Sequence, residues 1–178
     1  MSDPIEVVIR PYQADDLEAC RALWVELTQR HRDIYDDQTI GGDDPGLAFD
    51  EHARLSNLAG LWVAERDGAL VGMCGLLVHG GEAQVEPDEG QVEPIVVTST
   101  LRSAGIGCRL LEHVVAEARG RGLRSLSIRP VARNVEAIQL FHQTGFRVLG
   151  HLDMFMDLTE TGREWKSGIS MHERTFLY

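Results

Sequence analysis

The sequence has a single lysine, Lys166, only three cysteines in 178 residues, and no apolar run near the roughly 18 residues that a membrane-spanning helix requires. The scarcity of lysine excludes the nucleotide loop G-x-x-x-x-G-K-[ST], whose chemistry depends on a lysine directly after its second glycine. Cys20, Cys74 and Cys108 are odd in number, far apart and set among apolar or helical neighbours. They read as buried thiols, which excludes a disulfide framework and a cysteine metal site. The seven histidines show no metal-ligand spacing, and His31, His79 and His151 read as surface or internally bonded side chains, so no metal is expected. An apolar leader is lacking too. Ser2-Asp3-Pro4 opens the chain and Glu6 interrupts Ile5 to Ile9, so a cytoplasmic protein without a signal peptide is expected.

What is present is an ordinary globular composition, 43% hydrophobic and 25% charged. Its length predicts one domain over residues 1–178, with a core from 5 to 158 and a C-terminal extension from 159 to 178. The net charge of -11 argues against nucleic acid as a partner, because displacing phosphate counterions takes a basic surface. That charge is unevenly spread. Residues 1–90 hold 6 arginines against 19 acids, whereas residues 101–150 hold 8 arginines against 3 acids. An acidic first half followed by a basic island suggests an anionic ligand held by the island.

Alternation at Ile5, Val7 and Ile9, stopped by Pro11, predicts a first strand. Asp15 and Glu18 have the spacing of a capping box ahead of an amphipathic helix on Leu17, Cys20, Leu23, Trp24 and Leu27. A polar loop is expected from His31 to Pro45, then a second helix from about Leu47 to Ala59. Leu61 to Glu65 and Leu70 to Val78 read as strands joined at Asp67-Gly68, a strong hairpin pair. After an acidic loop at 80–90 come a strand at Gln91 to Val97 and a helix at Ile106 to Arg119. A strand at Leu126 and Ile128, a helix at Asn134 to Thr144 and two strand-like runs within Phe146 to Leu158 complete the order. Hairpins mixed with a crossover give the class α+β, or mixed α/β, around one sheet.

The stretch that carries chemistry runs from Glu93 to Leu111. A strand, a short loop holding Arg102, Gly105 and Gly107, and then a long helix is a geometry in which backbone amides and a helix N-terminus surround a phosphate. Arg102 adds a planar cation that grips phosphate oxygens. The dinucleotide fingerprint fails, because Leu110 stands where its third glycine belongs. On the glycines alone, a phosphate cradle and a plain strand-to-helix turn both fit.

Two motifs here resemble the GNAT superfamily of acyl-CoA-dependent N-acetyltransferases. Arg102-x-x-Gly105-x-Gly107, directly after Ile95-Val96-Val97, is similar to its pyrophosphate signature Gln/Arg-x-x-Gly-x-Gly/Ala, and Asn134 to Phe146 resembles its Asn-x-x-Ala-x-x-x-Tyr-x-x-x-Gly-Phe signature. Ile9-Arg10-Pro11 with Asp15-Asp16-Leu17 is similar to the family's first strand and helix. The resemblance implies a sheet of about seven strands, mixed but mostly antiparallel, splayed between strands 4 and 5 and flanked by about four helices. It implies acetyl-CoA as co-substrate in the gap, the pyrophosphate on Arg102, Ser103, Ala104, Gly105, Ile106, Gly107 and Cys108, and the pantetheine arm along Ile95 and Val97. It also brings Asn134 and Phe141 to the cofactor, and it makes a homodimer plausible.

The implied activity is transfer of an acetyl group to a primary amine in a ternary complex. The amide of Val97 is the candidate donor to the thioester oxygen, and Glu93 the candidate base, directly or through water, ahead of Glu82, Glu86, Asp88 and His79. The chain departs from the pattern at Phe141, where many members have a tyrosine proposed to protonate the leaving thiolate. Tyr12, Tyr35 or Tyr178, or water, then serves as the acid, or the protein is a non-catalytic acyl-CoA-binding or regulatory module. The acidic loops at Asp33 to Asp44 and Glu82 to Glu89 suggest a cationic acceptor.

Overall fold

The structure, a computed structural model, describes residues 6–55, 60–79, 89–154, 156, 158 and 167–177. The chain forms two compact units, Met1–Arg129 and Pro130–Tyr178. The first is built on five strands, β1 (Val8–Pro11), β2 (Leu61–Arg66), β3 (Ala69–His79), β4 (Glu89–Val97) and β5 (Ser125–Ile128), adjacent in that order. Neighbours from β1 to β4 pair antiparallel, whereas β4 and β5 are parallel. A parallel step needs a crossover, and α3 (Ile106–Gly120) supplies it. The β2–β3 turn uses Asp67 and Gly68 at φ 52° and 77°, the paired left-handed conformation that matches strand twist.

Helices cover both faces of this sheet, which is why β2 and β3 read as nearly continuous apolar runs. On one face lie α1 (Leu17–Tyr35) and α2 (Pro45–Leu55), where Cys20, Leu23, Phe49 and Ala53 bury against Leu61, Val63, Met73 and Val96. On the other, α3 buries Ile106, Leu110, Leu111, Val114 and Ala118. Trp62 faces α3, its ring 5.3 Å from that of His113, and a Cβ on Gly72 would stand 3.1 Å from the Leu110 side chain. Burial pushes the Cys20 thiol up to about 12 and raises that of Cys74 as well, so neither is a thiolate at neutral pH.

Two local expectations shift. The helix starting at Leu17 does not end near His31 but runs to Tyr35 and stops at Asp36 in the left-handed conformation (φ 53°, ψ 43°). Arg32 stabilises that end by donating to the carbonyls of Ile40 (2.9 Å) and Gly42 (2.7 Å). The box expected at Asp15 and Glu18 forms two residues earlier, at Gln13 and Asp16. Asp16 accepts the Gln13 N–H at 2.8 Å and both terminal nitrogens of Arg10 at 2.7 and 2.8 Å, while Glu18 pairs with Arg21. Arg10 also donates to Glu65 at 2.8 Å, so one guanidinium ties β1, β2 and the start of α1, and it holds the Asp16 carboxyl below the usual carboxylate range. Arg21 bridges α1 to Asp50 of α2.

In Pro130–Tyr178, α4 (Val135–Gln143) is capped by Asn134, whose side-chain oxygen accepts the Ala137 N–H at 3.2 Å. Phe141 is buried and meets Phe146 edge-on at 6.3 Å. The strand-like runs expected within Phe146 to Leu158 form no strand among the described residues there, and Val148, Met154, Met156 and Leu158 are exposed. Instead β6 (Ser167–Met171) and β7 (Arg174–Leu177) pair as a hairpin of their own, so the tail does supply strands. The seven described strands therefore divide into sheets of five and two. Of the acidic loop expected at 80–90, Glu89 and Gly90 instead begin β4, while 80–88, like the end of the second predicted helix at 56–59, lie outside the described residues. Among those described, no helix is long and apolar enough to cross a membrane.

Candidate active site

Parallel pairing of β5 with β4 covers only Glu89 to Val92, opposite Ser125 to Ile128. From Glu93 to Val97, β4 has no strand on that side among the described residues of its unit. The antiparallel register with β3 then decides which amides face outward. Thr98 N–H donates to the Val71 carbonyl at 2.9 Å, so the next pair, Val97 opposite Gly72, is a non-hydrogen-bonded one. The N–H and C=O of Val97 therefore point away from β3, as do those of Ile95, paired with Cys74. Arg102 Nε reaches the outward Val97 carbonyl at 3.4 Å.

Between these residues and Val92 the register slips, leaving Glu93 and Pro94 opposite Gly75. A Cβ on Gly75 would collide with the Glu93 carbonyl, so this bulge requires glycine. Glu93 is exposed, and its carboxylate accepts from the side-chain amide of buried Gln91 at 2.5 Å. His52 of α2 hydrogen-bonds the Glu93 main chain, and the Trp24 ring of α1 lies 5.1 Å from the imidazole. Burial holds the His52 pKa below the ordinary histidine value, outweighing the main-chain bond and the Glu93 charge, so the ring is neutral at neutral pH.

After Val97, a 3₁₀ turn at Ser99–Leu101 leads through extended Arg102 to Ser103 at φ 62° and Gly105 at φ 82°, where α3 begins. A non-glycine residue in the left-handed region, as at Ser103, is uncommon and locally strained. The N-cap of α3 is Gly105, which has no side chain to offer, so among the described residues no cap side chain accepts from the first amides, at Ile106, Gly107 and Cys108. Arg102, Ser103 and Gly105 are exposed, Ala104, Gly107 and Cys108 half-buried, and Ile106 is the buried root. A Cβ at Gly105 would meet nothing within 4 Å, so the space beside this residue at the start of α3 is open. Partial positive charge at a helix N-terminus together with the Arg102 cation suits an anion there.

Other residues singled out by sequence have other positions. Arg109, one of the arginines of the basic island, donates to the Val7 carbonyl at 2.8 Å and ties the residue before β1 to α3. Tyr12 stacks edge-on to Phe49 at 6.2 Å in the cluster under α1 and α2, where burial raises its pKa, and Tyr35 ends α1. Tyr178, the His79 side chain, Glu82, Glu86 and Asp88 lie outside the described residues. Several acids of the first loop serve local turns, Asp37 accepting from Thr39 N–H and Oγ1, Asp44 from Gly46 N–H. Asn134 and Phe141 belong to the second unit. Sequence reading missed His52, Gln91 and Glu26. The Glu26 carboxylate of α1 accepts Thr98 Oγ1–H at 2.8 Å and Ser99 N–H at 2.7 Å, a contact across more than 70 residues that no local pattern signals.

A family model described as the acetyltransferase (GNAT) family matches residues 19–146. The chain belongs to this family. In this GNAT-family chain the first signature occupies the loop from Arg102 into α3, and the second covers α4 up to Phe146. An IAA acetyltransferase of Azospirillum brasilense is 36% identical over 84 residues, which are 47% of this chain and 52% of that protein. A mycothiol acetyltransferase of Cellulomonas flavigena is 33% identical over 92 residues, 49% of this chain and 26% of that one. The chain thus spans about half and about a quarter of the length of these curated relatives. The solved structure of AAC(6')-Iy with the bisubstrate analog CoA-S-monomethyl-acetylneamine shares the fold, with a TM-score of 0.60 at 18% identity over 85% of this chain and 98% of that one.

Proposed function

We propose that this GNAT-family protein transfers an acetyl group from acetyl-CoA to a primary amine by direct attack in a ternary complex. The observation that carries the reading is the outward-facing N–H of Val97, on a strand edge with no partner strand among the described residues of its unit, leading into the start of α3. That pairing of features fits acetyl-CoA, an extended amide-bearing arm joined to a pyrophosphate. The edge amides of Ile95 and Val97 would pair with the arm as a missing strand would. Arg102 and the amides from Ser103 to Cys108 would hold the pyrophosphate. Asn134 and Phe141 enter on the resemblance of residues 134–146 to the second signature.

Acetyl-CoA supplies an activated acyl group and a thiol which, like that of cysteine with its pKa of about 8.5, leaves tolerably as a thiolate. Val97 donates its N–H to the thioester oxygen as negative charge grows there. The amine lone pair forms the new C–N bond, the C–S bond breaks, and Glu93 takes the surplus amine proton directly or through water. A cationic amine fits the exposed Glu93 carboxylate, and the analog bound to AAC(6')-Iy joins CoA to an acetylated amine.

The test is thiol release from acetyl-CoA in the presence of a panel of primary amines, with the product identified by mass. Amine-dependent release supports transfer. A second reading, an acyl-CoA-binding module without transfer, is favoured by Phe141, whose ring has no proton to donate. Tight acetyl-CoA binding with no release across the panel would select that reading instead.

A further inference from the structure

The carboxylate of Glu26 stands out because it faces a loop that otherwise suits an anion. A negative charge beside a phosphate site works against binding unless it does something else there. The bonds it makes point to what that is. Thr98 is held at three atoms: its N–H by the Val71 carbonyl (2.9 Å), its hydroxyl by Glu26 (2.8 Å), and its carbonyl by the Leu101 N–H (3.1 Å). The second Glu26 oxygen takes the Ser99 N–H at 2.7 Å, the first amide of the 3₁₀ turn, where Thr98 itself supplies no side-chain cap. Because a peptide unit is planar, fixing the Thr98 N–H toward β3 fixes the Val97 carbonyl outward, toward Arg102.

We propose that Glu26 is the positioning residue of the cofactor loop: from α1 it clamps the Thr98 side chain and the Ser99 amide beside the peptide that the Val71 carbonyl orients, and so sets the start of the segment that leads to the α3 amides. The inference rests on reading Arg102 to Cys108 as the site for the acetyl-CoA pyrophosphate. Glu26 touches neither cofactor nor acceptor in this role. Its part is geometric, and hydrogen-bonding capacity matters where charge does not. Glutamine keeps that capacity, since its oxygen accepts the Ser99 N–H while the threonine hydroxyl turns to accept from its amide.

Calorimetric titration with acetyl-CoA on wild type, Glu26→Ala, Glu26→Gln and Thr98→Val tests this. Losing two charge-assisted bonds in Glu26→Ala weakens acetyl-CoA binding at least about tenfold, Thr98→Val weakens it a few-fold, and Glu26→Gln stays within about threefold of wild type. In steady-state assays the loss in Glu26→Ala falls on KM for acetyl-CoA, with KM for the amine unchanged. Alanine suits a helix, so α1 itself tolerates the change, and Thr98→Val gives the answer independently if Glu26→Ala is poorly folded. Wild-type affinity in both Glu26→Ala and Thr98→Val overturns the proposal while leaving the function standing, as does a Glu26→Gln defect equal to that of alanine. Absence of acetyl-CoA binding in the wild type overturns the functional reading itself.

Discussion

Gly105→Ala separates what the loop does for the fold from what it does for a ligand. A Cβ at this position meets no atom within 4 Å, so the cost to the unliganded protein is conformational alone. Placing alanine at φ 82° costs roughly 1–2 kcal/mol, offset by about 0.4–1 kcal/mol from the narrower unfolded ensemble. The net loss of about 1 kcal/mol lowers Tm by about 2–4 °C for a chain of this length. On the proposal that the pyrophosphate rests on the α3 amides, a methyl group added at their N-cap residue crowds it. Losing one charge-assisted bond there is worth about 1.5–3 kcal/mol, or roughly tenfold or more in Kd. Acetyl-CoA at a hundred times its wild-type Kd stabilises the wild type by about 2.7 kcal/mol. The same concentration stabilises a tenfold weaker variant by only about 1.4 kcal/mol. A thermal-shift series therefore shows a small fall in the unliganded Tm and a ligand-induced rise cut to about half or less. An undiminished rise in Gly105→Ala would refute the placement of the phosphate on this loop.

Glu93→Gln lowers kcat by about 10² to 10⁴ with little change in acetyl-CoA affinity if the carboxylate takes the amine proton, and initial rates beside calorimetry decide it. Asp16→Asn removes one of the two carboxylates paired with Arg10 and costs about 1–3 kcal/mol in urea unfolding at neutral pH. Because the folded Asp16 carboxyl titrates below its unfolded value of about 3.9, wild type loses this contribution as pH falls through the depressed pKa, and the two stabilities converge there. His31 and His52 are held below the ordinary value of about 6.5 by burial, so the folded state binds fewer protons and stability declines as pH falls from about 6.5 toward those lower pKa values. Each contributes a slope of at most about 1.4 kcal/mol per pH unit, and His52→Gln flattens the decline; an unchanged pH profile in that variant would contradict the burial argument.

The parts of the fold legible in the sequence are those whose signals are local. The apolar stripe from Ile106 to Ala118 specifies α3 before any partner is known, and Asp67-Gly68 fixes the β2–β3 hairpin because few residue pairs adopt that turn. The end of α1 was hidden because His31 to Tyr35 is polar and the stop is Asp36 rather than glycine. Alternation between Phe146 and Leu158 describes a face but not a partner, and without a paired strand among the described residues it makes no ladder. The strand–loop–helix proposed to hold the pyrophosphate is legible through Arg102, Gly105 and Gly107. The clamp from Glu26 and the contact of His52 with Glu93 are not, since one joins a helix to the turn after β4 and the other joins a helix to the bulge within β4, both distant in sequence.

The central claim is that the outward edge of β4 and the start of α3 receive one cofactor. Amide-resolved NMR during titration with acetyl-CoA tests it most directly. The account predicts that the amide signals of Ile95, Val97 and the residues from Ser103 to Cys108 shift together with a single Kd, while those of β1 and the β2–β3 turn stay in place. Saturable binding that leaves Val97 and Gly105 to Cys108 unmoved would contradict it.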